Sequence, residues 1–195
     1  MPSEDTCFAR LVSLACHDLR TPLATIYGFS RTLTRRDDLG EPAGGYVAMI
    51  EASAQQLGDL IDLLTLAARI EGGRYDPARR ELDTRELALA AQKRLGEERV
   101  RVTGPGGRVL VDADATPRAI SSLAQCALRH GGLESVTVTA DGAALHIDPI
   151  TPASAPVVLG EDLRDLGAAV ANVLLGATGA TVTLHEQTLV VRLEP

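Results

Sequence analysis

The sequence predicts an α+β protein in two parts: an N-terminal antiparallel helical hairpin, then a two-layer α/β sandwich. Three observations carry that expectation. In the first 70 positions apolar residues recur in steps of three and four, the period of helices that pack in a bundle. From residue 79 onward the pattern changes to short alternating runs punctuated by glycine turns and helix caps, the signature of strands and helices in layers. Between the two lies Glu71-Gly-Gly-Arg-Tyr-Asp-Pro-Ala78, a linker by composition. Domains at 1–72 and 79–195 are expected.

The first helix is expected over residues 8–36, with a seam of Phe8, Val12, Ala15, Leu19, Leu23, Ile26, Ser30 and Leu33. Glycines and a proline between Arg36 and Gly45 break it. A second seam follows at Tyr46, Ile50, Ser53, Leu57, Leu60, Leu64 and Ala67. One hairpin cannot bury a stripe on each helix by itself, whereas two copies forming a four-helix bundle can. A homodimer through the N-terminal helices is therefore expected.

Behind the linker, Asp83 and Glu86 form a D-x-x-E capping box for a helix that stops at Gly96. Residues 99–103 and 108–112 alternate as strands around the turn Gly104-Pro-Gly-Gly107. Thr116-Pro117 reads as N-cap and first turn of a helix to His130. Residues 135–140 and 144–148 form a hairpin across Asp141-Gly142. A proline-rich loop reaches Gly160, a helix spans 162–175, and strands at 181–185 and 189–193 close the chain.

Composition narrows the functional classes. The 195 residues are 45% hydrophobic, enough for real cores. A net charge of −7 without a basic cluster disfavours nucleic acid as a partner. No run approaches the roughly 18 apolar residues of a membrane span, so no direct membrane insertion is expected. No apolar h-region follows the acidic start, and Cys7, Cys16 and Cys126 form no CxxC pair. A reducing, cytoplasmic setting is the simplest reading.

The richest stretch is Leu14-Ala-Cys-His17-Asp18-Leu-Arg20-Thr21-Pro22-Leu23. On a helix, His17 lies about 200° from Ala15 and from Leu19, so its imidazole points away from the seam. Asp18 can hold one ring nitrogen and leave the other free as a nucleophile. Thr21, one turn on, shares the His17 face and can orient a water. Arg20 can sit near a phosphoryl group, and Pro22 is expected to bend the helix. Ala24 and Gly28 leave a smooth surface on which a helix of another protein can lie. His130 is expected to interact with the C-terminal end of its helix. His146 and His185 read as solvent-facing on strands. No histidine shows metal-ligand spacing, and no metal is expected.

The run His17-Asp18-Leu-Arg20-Thr21-Pro22-Leu23 resembles the H-box of two-component sensor histidine kinases. The whole chain is similar to the dimerisation hairpin and ATPase domain of that family, and to dimeric histidine phosphotransferases with a degenerate kinase fold. The resemblance implies that His17 takes the phosphoryl group, Asp18 acts as base and Thr21 assists receiver dephosphorylation. It also implies an ATPase-type sandwich in the second half and response-regulator receiver domains as partners.

The second half departs from that pattern. The resemblance puts Cys126 where the family holds Mg²⁺ through asparagine, with Ser122 at the preceding asparagine. A thiol is a poor ligand for Mg²⁺, which prefers oxygen. In Asp148-Pro-Ile150-Thr-Pro152 the adenine-recognising aspartate survives, but Ile150 and Pro152 replace both glycines. Of the next glycine motif only Gly167 remains, and Asp165 beside it would repel a triphosphate. The segment from Pro152 to Glu161 is short for a lid over ATP. The expected function is a phosphorelay in which His17 carries a phosphoryl group to or from receiver aspartates with no cofactor. Alternatives are a sensor histidine kinase with a divergent ATP/Mg site, or a pseudokinase or phosphatase acting on a receiver.

Overall fold

The computed structural model describes residues 4–35 and 40–194. It divides into two compact units, Met1–Tyr75 and Asp76–Pro195.

The first unit is the expected hairpin of α1 (Glu4–Thr34) and α2 (Glu41–Glu71). Gly40 precedes α2 in extended backbone, and Pro42 in the first turn costs no intrahelical bond. Of the expected break, residues 36–39 lie outside the described residues, as do the side chains of Phe8, Ala15 and Asp18.

Of the α1 seam, Leu23 and Ser30 turn towards α2, but most of the described residues of both seams do not. The hairpin's inner side holds Cys16, Ser30, Ala54, Ile61 and Ala68, all buried, with Leu23 and Tyr27 half-buried. Leu23 lies against Gly58, where an added Cβ would touch its side chain at 3.8 Å. Leu19, Ile26 and Leu33 on α1, and Tyr46, Ile50, Leu57, Leu60 and Leu64 on α2, remain exposed. Small residues let the helices approach on one stripe, and the larger aliphatic stripe stays open.

The second unit is a two-layer sandwich. Its five-stranded sheet has the order β2-β4-β5-β7-β6, from β2 (Val100–Gly106), β4 (Val136–Asp141), β5 (Ala144–Asp148), β6 (Thr181–His185) and β7 (Thr188–Arg192). Every pairing is antiparallel except β2 with β4, which is parallel. The β4–β5 and β6–β7 hairpins match expectation. Alternate residues of β4 (Val136, Val138 and Ala140) are buried, and Leu145, Ile147, Leu189 and Val191 continue that core on β5 and β7. The helical layer is α3 (Thr84–Leu95), α4 (Ala115–Gly131) and α6 (Leu166–Ala177).

Four expectations need correction. Residues 99–103 and 108–112 do not pair with each other. β3 (Arg108–Asp112) instead joins β1 (Arg79–Asp83), a strand the sequence did not suggest, in a separate two-stranded sheet. At Gly104 an added Cβ would collide with the Ala140 carbonyl, so β2 lies tight against β4 rather than turning back.

Nor does Thr116 cap α4. Asp112 does so from the end of β3, its Oδ1 accepting from the Asp114 and Ala115 amides at 3.0 and 2.7 Å. Thr116 is buried instead, its hydroxyl without a partner among the described residues. The proline-rich loop contains a short helix, α5 (Ala155–Val158), whose Val157 and Val158 enter the core. Finally, α6 begins at Leu166 rather than 162 because Asp165 is its N-cap.

Candidate functional site

His17 stands exposed near the middle of α1. With Arg20, Thr21, Ala24 and Thr25 it lines a shallow open depression. These positions share one face because helical residues three, four, seven and eight apart do so. Thr25 was not anticipated, although its i+8 spacing from His17 signals it. Its hydroxyl donates to the Thr21 carbonyl at 3.1 Å. Pro22 lies inside α1, which continues through it. Having no N–H, it leaves the Asp18 carbonyl without its helical donor. One turn beyond Ala24, Gly28 is exposed, and a Cβ there would meet nothing within 4 Å.

Arg20 departs from expectation. Its Nη2 donates to Asp62 Oδ1 on α2 at 2.9 Å and approaches Thr65 Oγ1 at 3.5 Å. The guanidinium therefore bridges the two helices, drawn by a carboxylate that α2 presents. Only the register of α1 on α2 could reveal Asp62 as a neighbour.

In the second unit, some of the suspected nucleotide-site positions converge. Ser122 and Cys126 lie on α4, facing the start of α6. A Cβ on Gly167 would meet Ser122 Oγ at 3.3 Å and Asp165 Oδ1 at 3.2 Å. Cys126 is fully buried. Burial pushes its thiol up to about 12, and the Asp165 carboxylate adds to the rise.

The remaining positions serve packing or the surface. Ile150 is 2% exposed, and its amide donates to the Gln187 carbonyl at 2.6 Å in the β6–β7 turn. Pro152 is exposed, and Asp148 is half-buried at the end of β5. Past them, the Ser154 amide donates to the Thr151 carbonyl at 3.1 Å, and Asn172 Nδ2 donates to the Val158 carbonyl at 2.9 Å. The segment expected as a shortened lid is thus tied to the core through α5.

His130 also differs from expectation. Its Nε2 lies 3.2 Å from Asp165 Oδ2, and Cys126 is one turn before it on α4. Cysteine, histidine and carboxylate do come together here. The Cys-x-x-x-His spacing was visible in sequence. Asp165 is 35 residues from His130, and only the packing of α4 on α6 brings it in. His185 is exposed and His146 is half-buried.

Residues 9–73 match the His Kinase A (phospho-acceptor) domain family. Histidine protein kinase DivJ of Caulobacter vibrioides is 32% identical over 172 residues, spanning 82% of this chain and 28% of that protein. The chain belongs to the two-component sensor histidine kinase family. Among solved structures, full-length ShkA in complex with AMPPNP superposes with a TM-score of 0.67 at 20% identity, over 93% of this chain and 44% of that one. The histidine kinase AdeS of Acinetobacter baumannii gives 0.59 at 14% identity, over 91% of this chain and 97% of that one. At these identities the likeness is one of fold. This family member spans less than a third of DivJ. His17 is the only histidine within its matched phospho-acceptor segment. Among the described residues, no helix is long and apolar enough to cross a membrane.

Proposed function

We propose that this chain is a phosphoryl carrier of two-component signalling, in which His17 exchanges a phosphoryl group with the aspartate of a response-regulator receiver domain. One observation carries the reading: the sole histidine of the phospho-acceptor segment is exposed on α1, in an open depression shared with Arg20, Thr21, Ala24 and Thr25. In the exchange an N–P bond forms at the imidazole while the acyl phosphate C–O–P linkage of the receiver breaks, its carboxylate leaving. Both species are high in energy, so the helix face supplies mainly alignment. Asp18 acts as base, Thr21 orients a water for dephosphorylation, and Ala24 and Gly28 form the receiver's landing surface. A homodimer covers the exposed stripe of Leu19, Ile26, Leu57, Leu60 and Leu64.

The relatives favour a sensor histidine kinase, phosphorylated from ATP at a divergent site, over exchange without nucleotide. The second reading, ATP-free transfer between two receivers, is favoured by the buried Ile150, the thiol of Cys126 and the packed α5 segment. Their residue types and burial do not reproduce the magnesium–nucleotide site that the family resemblance implies.

Radiolabelled ATP with Mg²⁺, and separately a phosphorylated receiver, offered to the full chain distinguish the two. Labelling from ATP selects the kinase, and labelling only from the receiver selects the relay. His17→Ala should abolish both, and label persisting in that variant overturns the assignment of His17.

A further inference from the structure

The cluster on the inner face of α4 is a different kind of site from the exposed imidazole of α1. Cys126 and His130 stand four residues apart on α4 and share a face. Asp165, the N-cap of α6, spends Oδ1 on the Ala168 amide at 3.0 Å. That bond fixes the carboxyl so that Oδ2 faces His130 Nε2 at 3.2 Å and Arg129 Nη1 at 3.5 Å. One ligand atom from each of Cys126, His130 and Asp165 lies within 4.8 Å of the other two. Cys126 is wholly buried, the Asp165 side chain is 8% exposed and that of His130 is 19% exposed.

We propose that Cys126 Sγ, His130 Nε2 and Asp165 Oδ2 bind a divalent transition metal of zinc type, clipping α4 to the start of α6. One sulfur, one imidazole nitrogen and one carboxylate oxygen form a set that suits Zn²⁺ and does not suit Mg²⁺ or Ca²⁺. In a tetrahedral zinc site with bonds of about 2.0–2.3 Å, the ligand atoms stand roughly 3.3–3.6 Å apart. The histidine–carboxylate distance of 3.2 Å is within about 0.1 Å of that range, and the thiol, within 4.8 Å of both, needs to close by at most about 1.2 Å. Three protein ligands leave a fourth position for water or an incoming donor.

A thiolate and a carboxylate neutralise a divalent cation, which suits a buried place. The Arg129 guanidinium on Asp165 Oδ2 adds a positive charge, but its side chain is 61% exposed and screened by solvent. On binding, the Sγ–H bond of Cys126 breaks, its proton leaves to solvent and an S–metal bond forms. His130 coordinates as neutral imidazole with its proton on Nδ1, and no oxidation state changes. The His130–Asp165 contact could by itself be a hydrogen bond between helices, but that leaves a buried thiol beside both groups without a role. This site does not depend on which reading of His17 holds.

The test uses the tag-free full chain, stripped with a chelator. Calorimetric titration with Zn²⁺ should give one site per chain, and Co²⁺ should produce a thiolate charge-transfer band with tetrahedral d–d bands. Loss of an outer partner of a metal site costs roughly 10- to 100-fold in affinity, so His130→Gln and Cys126→Ser should each cost more than that. Cys126→Ser should also erase the charge-transfer band, while Cys16→Ser keeps it. Zinc should raise the thermal midpoint of the unmodified chain. If Cys126→Ser fails to fold, His130→Gln and the cobalt spectrum decide. No zinc uptake, cobalt bands lacking a thiolate transition, or affinity unchanged in His130→Gln each overturn the site, leaving only a hydrogen bond between helices.

Discussion

Arg20 on α1 donates to Asp62 on α2 at 2.9 Å, three residues beyond the exposed His17. The two side chains are 50% and 54% exposed, and such pairs contribute about 0–1 kcal/mol. Arg20→Ala should therefore destabilise the hairpin by less than about 1 kcal/mol in urea unfolding. With the guanidinium held on α2, His17 labelling should fall by less than tenfold. A greater loss of labelling would place Arg20 at the phosphoryl group instead.

The open aliphatic stripe makes a prediction about assembly. Leu57 is 52% exposed and sits among Ile50, Leu60 and Leu64. Leu57→Asp puts a charge where the bundle reading buries a second copy. Light scattering should then show a shift from dimer to monomer with far-UV circular dichroism unchanged. An unaltered mass would remove that stripe from the interface.

Ile150, which the family resemblance sets against a glycine, tests how far its side chain belongs to the core. Truncating a buried isoleucine to alanine costs about 2–5 kcal/mol. Ile150→Ala should lower the stability of the second unit by that amount in chemical denaturation. A cost below about 0.5 kcal/mol, typical of surface sites, would show that the side chain packs on little.

Cys126 makes a pH prediction with a definite sign. Burial, then Asp165, holds its thiol near 12 in the fold, against 9.0 for an ordinary thiol. Below about 9 both states keep the proton. Between 9 and 12 the unfolded chain releases it while the fold retains it, so stability falls as pH rises. The slope approaches 1.4 kcal/mol per pH unit at about 25 °C. Metal-free Cys126→Ala should flatten the decline between about pH 9 and 10.5, other thiols being common to both proteins. Parallel profiles in the two would refute the assignment.

The sequence alone determined whatever depends on near neighbours. Steps of three and four placed both long helices and put His17 off the apolar seam. Asp83 was legible as a cap, and its Oδ1 accepts from the Arg85 amide at 2.7 Å. Asp141-Gly142 marked the β4–β5 turn. Caps, turns and helical faces are set within about one turn of chain, so their signals are local.

Only the tertiary structure decided which stripe of α1 meets α2, that Asp62 takes Arg20, and that β3 leaves β2 for β1. It also brought Asp165 to Cys126 and His130 across the α4–α6 contact. Each of these depends on how far one element slides along another that is 25 to 42 residues away. Periodicity is blind to such a slide. Fit between packed surfaces selects it, with small side chains admitting close approach and buried carboxylates seeking donors.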